Sequence, residues 1–415
     1  MKPTFIISAP FDTYSGYGAR SRDVIKAIIA TDKYDVKLLT QRWGNTPFGF
    51  CNDNPEWNNL LDLTIPSPLT TQPDIWMQIT VPNEFQPIGK YNIGVTAGIE
   101  TTLVPGDFVE GANRMDITLT SSTHSKKAFL DAQYEKKDDK GNVLGVIKME
   151  KPIEVLFEGA NTDVYKATNT PCSLDINIKE DFAYLFVGHW LPGDIGEDRK
   201  NVGLLIKAFY ETFKNKSKKP ALVLKTSIIG SSYMDREEVL KRISLIKETV
   251  DSKDLPNIYL LHGDFTDSEM NEIYNHSKIK VMISLTKGEG FGRPLLEFSL
   301  SKKPIIVSGW SGHMDFLNPE FNIFIGGTLT NVHPSSANQF LLKEAQWFSP
   351  THGQIGHSFV ETFKNYKKYT EGAKRQAYKS KKEYSWDAMK NLLSSILETN
   401  IPEFPKKIKL NIPNG

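Results

Sequence analysis

Cysteine is nearly absent: Cys51 and Cys172 are the only two among 415 residues. That excludes a disulfide framework and fits a reducing compartment. Net charge is scarce too, with 50 Lys and Arg against 49 Asp and Glu, a formal +1. A polyelectrolyte binder with one overall sign is thereby excluded, though a local patch is not. No apolar run approaches the length of a membrane span. The opening Lys2-Pro3-Thr4-Phe5-Ile6-Ile7-Ser8 is too short an apolar stretch for a signal peptide. A soluble cytoplasmic protein is expected, with peripheral membrane contact left open. No cluster of His and Cys has zinc spacing, and no solenoid period is visible. The length is too great for one ordinary core, so two domains are expected.

What the sequence does have is alternation of strands and helices, which argues for mostly parallel sheets. In the first half the strand candidates are 5–9, 36–39, 75–79, 91–95 and 117–120. A loop over 11–18 is expected to lead into an amphipathic helix over 19–30. Residues 40–73 are rich in Pro, Asn and Trp and read as an elaborated loop. An exposed hairpin is expected around Lys140-Gly141-Asn142. In the second half the candidates are 182–187, 221–226, 258–261, 280–285 and 305–307. Thr266-Asp267-Ser268-Glu269 reads as a capping box opening a helix that runs to about His276. Helical stretches over 358–383 and 386–398 close the chain.

The most informative segment is Gly288-Glu289-Gly290-Phe291-Gly292-Arg293-Pro294-Leu295-Leu296-Glu297. It follows the apolar run 279–285, a buried strand by its pattern. The three glycines suit a tight turn or a close approach to a ligand. Pro294 fits the first position of a helix and would place Glu297 in its first turn. Ligands of open α/β sheets bind beyond the carboxyl ends of strands, and a helix N-terminus there suits a phosphate. Two carboxylates with seven residues between them reach different parts of one ligand, and a carboxylate accepts hydrogen bonds from paired hydroxyls. The combination points to a ligand with phosphate and polyol parts, such as a nucleotide sugar. On the glycines alone, an ordinary strand-to-helix turn is the default.

Glu289 to Glu297 resembles the E-x7-E motif of retaining GT-B glycosyltransferases of the group four type, the glycosyl transferases group 1. Three other stretches agree in order. Val187-Gly188 with Lys200-Asn201-Val202-Gly203-Leu204-Leu205 is similar to the family's phosphate strand and helix. Phe157-Glu158-Gly159-Ala160-Asn161-Thr162-Asp163 is similar to its domain junction, and Ser308-Gly309-Trp310-Ser311-Gly312-His313 to a segment lining its donor pocket. The resemblance implies an α/β, GT-B fold of two Rossmann-like domains around a deep cleft. The implied units are an acceptor domain over 1–165 and a donor domain over 166–384, with the last helix, about 385–415, crossing back.

It also implies roles. Glu289 would hold sugar hydroxyls, Glu297 the ribose, and the amides of Gly290, Phe291 and Gly292 the sugar or phosphates. Gly16 and Gly18 would face the cleft, with Tyr17 and Glu100 on the acceptor side. A departing diphosphate needs nearby cations. Lys200 matches the family's Lys, whereas His189 stands where an Arg is usual. Arg199 is the candidate substitute, and Lys225 ends a strand facing the same way. The first-domain His of many members is missing from Gly94-Val95-Thr96-Ala97-Gly98-Ile99-Glu100-Thr101-Thr102, and His124 reads as a helix-lining residue. No Asp-x-Asp pair occurs, so the nucleotide sugar is expected as co-substrate with no metal or other cofactor. The implied reaction is same-face attack, the leaving phosphate taking the acceptor proton.

From Lys364 to Lys382 come eight cations, Lys364, Lys367, Lys368, Lys374, Arg375, Lys379, Lys381 and Lys382, against one acid, Glu371. A solvated helix face is the plain reading. An anionic membrane surface and a nucleic-acid backbone are the functional ones. The acceptor is accordingly expected to be a saccharide or lipid-linked glycan, with a hydroxylated base in DNA as the alternative. A nucleotide-sugar binding protein without transfer activity is the other alternative.

Overall fold

Two six-stranded parallel sheets organise the chain, each with its own core. The computed structural model describes residues 2–138, 140–228 and 230–405. The first sheet contains β1 (Thr4–Ala9), β2 (Asp35–Thr40), β3 (Ile75–Ile79), β4 (Tyr91–Val95) and β5 (Ile117–Thr120). A hairpin, β6 (Tyr134–Lys137) and β7 (Val143–Ile147), then precedes its last strand, β8 (Ile153–Val155). The strand order is β2-β1-β3-β4-β5-β8. The second sheet contains β9 (Ala183–Val187), β10 (Ala221–Lys225), β11 (Ile258–Leu261), β12 (Ile279–Ser284), β13 (Ile305–Ser308) and β14 (Ile323–Ile325). Its order is β11-β10-β9-β12-β13-β14. An antiparallel pair, β15 (Gly327–Asn331) and β16 (Gln346–Pro350), follows. Helices cover both faces of each sheet, which is why strands such as Ile75–Ile79 are buried throughout rather than alternating.

The connecting helices are α1 (Gly16–Ala30), α2 (Phe50–Asp53), α3 (Gly106–Asn113), α4 (Thr123–Asp131), α5 (Val202–Phe213), α6 (Tyr233–Glu248), α7 (Asp267–Asn275) and α8 (Arg293–Ser299). The chain closes with α9 (His352–Lys364), α10 (Tyr366–Glu383) and α11 (Trp386–Asn400). Helix α7 opens with the full capping box of Thr266 and Glu269. Three expectations need correction. Helix α1 begins at Gly16, because Ser15 caps it by accepting from the Gly18 N–H. The stretch 40–73 holds α2 and a 3₁₀ segment, Pro55–Leu63, that lays Leu60 into the first core. The helical tail over 358–383 is two helices broken at Asn365.

The domains exchange chain twice, side by side. Outbound, Phe157 touches both cores, and Ala160 and Tyr165 already belong to the second, so that core begins before the expected 166. On the return, α11 lays Met389, Leu393 and Leu397 into the first core beside Val24 and Ile28 of α1. The crossings are tied by Ala160 N–H to Tyr384 O (2.9 Å) and Trp386 N–H to Ala160 O (2.8 Å). Arg20, buried on α1, donates to the carbonyls of Leu156 and Phe157. The part of the expected last helix beyond residue 405 lies outside the described residues.

Candidate active site

In the second sheet β9 pairs with β10 on one side and β12 on the other, so the strand order reverses between β9 and β12. The loops leaving their carboxyl ends diverge there and leave a crevice, the usual ligand position of such sheets. Gly188 and His189 follow β9, and Lys287 to Gly292 follow β12. The Lys287 N–H donates to Arg199 O at 2.8 Å, which brings the residues before α5 to the same place.

Glu289 is the centre of the charge there. Lys200 Nζ donates to its Oε1 at 2.5 Å, and Arg199 Nη1 lies 3.6 Å from Oε2. Arg199 also donates to Gly288 O at 2.8 Å, and its Nη2 lies 3.7 Å from Glu100 Oε1 of the first domain. Burial alone would raise the Glu289 pKa, but Lys200 and Arg199 overcome it and hold the carboxyl at about 2. Burial in turn lowers Lys200. Sequence reasoning paired Glu289, Lys200 and Arg199 with one ligand, and the structure brings the three together with Glu100.

The loop carrying Glu289 is clamped on every side. The Glu289 N–H donates to Ser311 Oγ (2.8 Å), and the Gly312 N–H to Glu289 O (2.9 Å). Ser311 has φ 86°, a strained backbone for a non-glycine residue and of the kind that gathers at functional sites. From the first domain, Ser121 Oγ donates to Gly290 O at 3.1 Å. Gly98 lies against Gly290 so closely that a Cβ on Gly98 would be 2.1 Å from the Gly290 Cα. Ser121, Gly98 and Ser311 were not singled out in the sequence, although each lies in a stretch that drew notice for its neighbours.

Glu297 is placed differently from expectation. Helix α8 starts at Arg293, so Pro294 takes the second position and Glu297 the fifth, past the first turn. Gly292, at φ 96°, forms the cap, a conformation that favours glycine. Arg293 Nε donates to Glu297 Oε1 at 2.8 Å, and Nη1 to Asp23 Oδ2 of α1 at 2.6 Å. Tyr274 OH donates to Glu297 Oε2 at 3.4 Å. Burial pushes the Glu297 carboxyl up to about 7 against the pull of Arg293. Nearby, Tyr165 OH donates to Asp267 at 2.9 Å. Asp267 lines an interdomain cavity of about 560 Å³ with Phe50, Trp57, Asn161 and Phe265. Asp23 and Arg293 carried no sequence signal of pairing, since 270 residues separate them.

The remaining candidates divide. His189 Nδ1 lies 3.1 Å from Ser227 Oγ, and burial with Lys200, Lys225 and Arg199 nearby lowers its pKa. Lys225 faces the Phe265 ring (5.6 Å) rather than Glu289. Gly16 has open space at its Cβ position, whereas a Cβ on Gly18 would lie 2.3 Å from Thr13 O. Gly18 is therefore glycine for backbone packing. The Tyr17 hydroxyl is occupied by Thr96 Oγ1 (3.1 Å) and the Ala97 N–H (3.0 Å), its ring stacked on Trp43. Tyr17 thus props the segment leading to Gly98. His124 packs edge-on against Trp310 and is lowered by burial to about 4. The Asn201 side-chain amide and His313 Nδ1 are among the buried polar atoms of the described residues that have no protein partner.

Residues 184–337 match the family model for glycosyl transferases group 1. No curated protein matches the chain by sequence. Among solved structures it is similar to a glycosyltransferase from Rickettsia africae ESF-5, at 14% identity and TM-score 0.63, covering 96% of this chain and 99% of that one. It is similar to HepE (Alr3699) of Anabaena, solved with UDP and glucose, at 12% identity and TM-score 0.61, covering 96% and 100%. Sucrose-phosphate synthase from Thermosynechococcus elongatus aligns at 12% identity and TM-score 0.61, covering 96% and 99%. The fold is GT-B.

Proposed function

We propose that this chain, whose second domain carries the group 1 glycosyl transferase pattern, is a retaining glycosyltransferase that moves a sugar from a nucleotide-sugar donor to a hydroxyl acceptor. The observation that carries the reading is Glu289 held by Lys200 and Arg199 at the switch point of the second sheet. A diphosphate is a stronger partner for those cations than one carboxylate. Its arrival draws Lys200 and Arg199 to the phosphates and leaves Glu289 to accept hydrogen bonds from sugar hydroxyls. On this reading the amides of Gly290, Phe291 and Gly292 contact the sugar or the phosphates. Glu297 accepts from the ribose, and the cavity at Phe50, Trp57 and Phe265 offers aromatic faces to the base. As the bond from the anomeric carbon to the diphosphate oxygen breaks, negative charge grows on that oxygen, where Lys200 and Arg199 stabilise it. The acceptor oxygen forms its bond to the anomeric carbon on the same face, and its proton passes to the leaving phosphate. Glu100 lies on the acceptor side, next to Arg199. No metal enters this scheme.

The test is a thermal-shift panel of UDP-, GDP-, ADP- and CDP-sugars, with Glu297→Ala alongside. A ligand that binds the native state raises its melting temperature by mass action. A selective shift lost in the variant is expected. Absence of any shift, with no hydrolysis of any donor, would overturn the reading. The anomeric configuration of the product, read by NMR, tests retention, and activity in EDTA tests metal independence.

A further inference from the structure

The basic run of the sequence, apart from Lys364 at the end of α9, forms one face of α10. A repeat of 3.6 residues places all seven cations of this helix within an arc of about 160°, with Tyr378 near its middle. Tyr378 is 70% exposed. The buried residues Ala373, Gln376, Ala377 and Ser380 occupy the opposite side. Three of the cations have acidic partners, Glu361, Glu371 and Glu383. Charge is segregated along the chain: without residues 364–382, its 50 cations and 49 acids become 42 and 48. The face is not on the donor crevice. A shallow hollow of about 550 Å³ opens beside it, where Phe321 meets Lys374, Arg375, Tyr378 and Lys382, with Glu371 and Glu383 the two carboxylates in its lining.

We infer that this face of α10 docks on an anionic lipid surface. Clusters of four to eight Lys or Arg on an amphipathic helix draw such surfaces, and an exposed tyrosine among them suits the headgroup layer. Six of the seven cations are lysines, which act as point charges and lack the bidentate fork of arginine that reads bases. That weighs against base-specific reading of a nucleic acid, and the DNA arm of the test below covers binding to its backbone. The docked face also has a route to the site. Ser380 on the buried side accepts from Ser299 Oγ at 2.7 Å, at the end of the helix carrying Glu297. Docking by α10 fixes α8 relative to the lipid surface, as an acceptor anchored in that surface requires.

The experiment is co-sedimentation of the full chain with vesicles of phosphatidylcholine, with and without an equal share of phosphatidylglycerol, at low and high salt. Binding to the anionic vesicles alone, weakened by salt, is expected. The exposed substitutions K374A, R375A, K381A and K382A together should weaken it on the order of a thousand-fold while nucleotide-induced thermal shifts persist. Equal binding to neutral vesicles, or binding to neither, overturns the inference. Binding of a duplex DNA fragment without vesicle binding overturns it in favour of a nucleic acid. The salt dependence of the unaltered chain decides even if the fourfold variant does not fold.

Discussion

Gly98 of the first domain and Gly290 of the second meet backbone to backbone, and neither position has room for a Cβ. This is where the two halves of the site touch. Gly288 is pressed in the same way against Glu100 O, and Tyr17 braces the segment from behind through Thr96 and Ala97.

A methyl at Gly98 must therefore push the first-domain segment off the Glu289 loop. Misplacement by about 1 Å costs on the order of a hundred-fold in rate, whereas the contact lies between domains and not inside either core. Gly98→Ala should lower kcat/KM for glycosyl transfer about a hundred-fold while the melting temperature moves by roughly 2–4 °C. Wild-type kinetics would mean that the closed contact is irrelevant to catalysis.

Lys200→Met removes the nearest cation from the leaving group and leaves Glu289 with Arg199 alone. Loss of one preorganised charge contact of this kind costs roughly 10²–10³-fold in kcat. The fall should appear in kcat more than in donor KM, because the charge grows only as the bond breaks. Equal loss in binding and turnover would make Lys200 a ground-state contact.

The strands and the capping box were legible because local pattern dictates them, whereas Glu289, Lys200 and Arg199 were singled out through resemblance to a family motif. An apolar run such as Ala183–Val187 can only be a buried strand, and the Thr266–Glu269 pair closes on itself. The start of α8 was misplaced because Gly292, in a left-handed conformation, caps the helix one residue earlier than Pro294 suggested. The packing constraint on Gly18 was not legible because it is the carbonyl of Thr13, visible only in three dimensions. Ser121 and Asp23 were invisible for a related reason: their partners, Gly290 and Arg293, lie on the other domain.

The Asp23–Arg293 pair links α1 to the helix of Glu297 across the domain interface. Removing the Asp23 charge leaves Arg293 with Glu297 as its remaining ion-pair partner, so the cost is that of a hydrogen bond to a charged group, about 2 kcal/mol. Asp23→Asn should lower stability by about that amount and raise donor KM, since Arg293 loses the anchor that aims it at Glu297. Arg293→Met should raise KM further. Unchanged KM in both, measured with the donor found by thermal shift, would reduce the pair to a structural strut.

The two carboxylates of the motif make opposite predictions for pH. Glu289 falls from 4.5 to about 2 on folding, so its contribution to stability is present above pH 4.5 and is lost as pH falls towards 2. Glu297 rises from 4.5 to about 7. The folded state binds that proton more tightly, so its contribution is full below pH 4.5 and disappears as pH rises through 7. The melting temperature of the wild type should therefore decline between pH 4.5 and 7 from this group, and Glu297→Gln should flatten that limb. Donor binding runs the other way, because only the ionised Glu297 accepts two hydrogen bonds from a ribose. Affinity should climb as pH passes about 7 while stability slips, and the variant should show neither trend. A donor affinity flat from pH 5.5 to 8.5 in the wild type would remove Glu297 from the ribose. Its proton affinity is set by burial first, then by Arg293 on its own helix, Asp267 on α7 and Glu158 at the crossing. Substituting Arg293 should move the binding midpoint up, whereas substituting Asp267 should move it down.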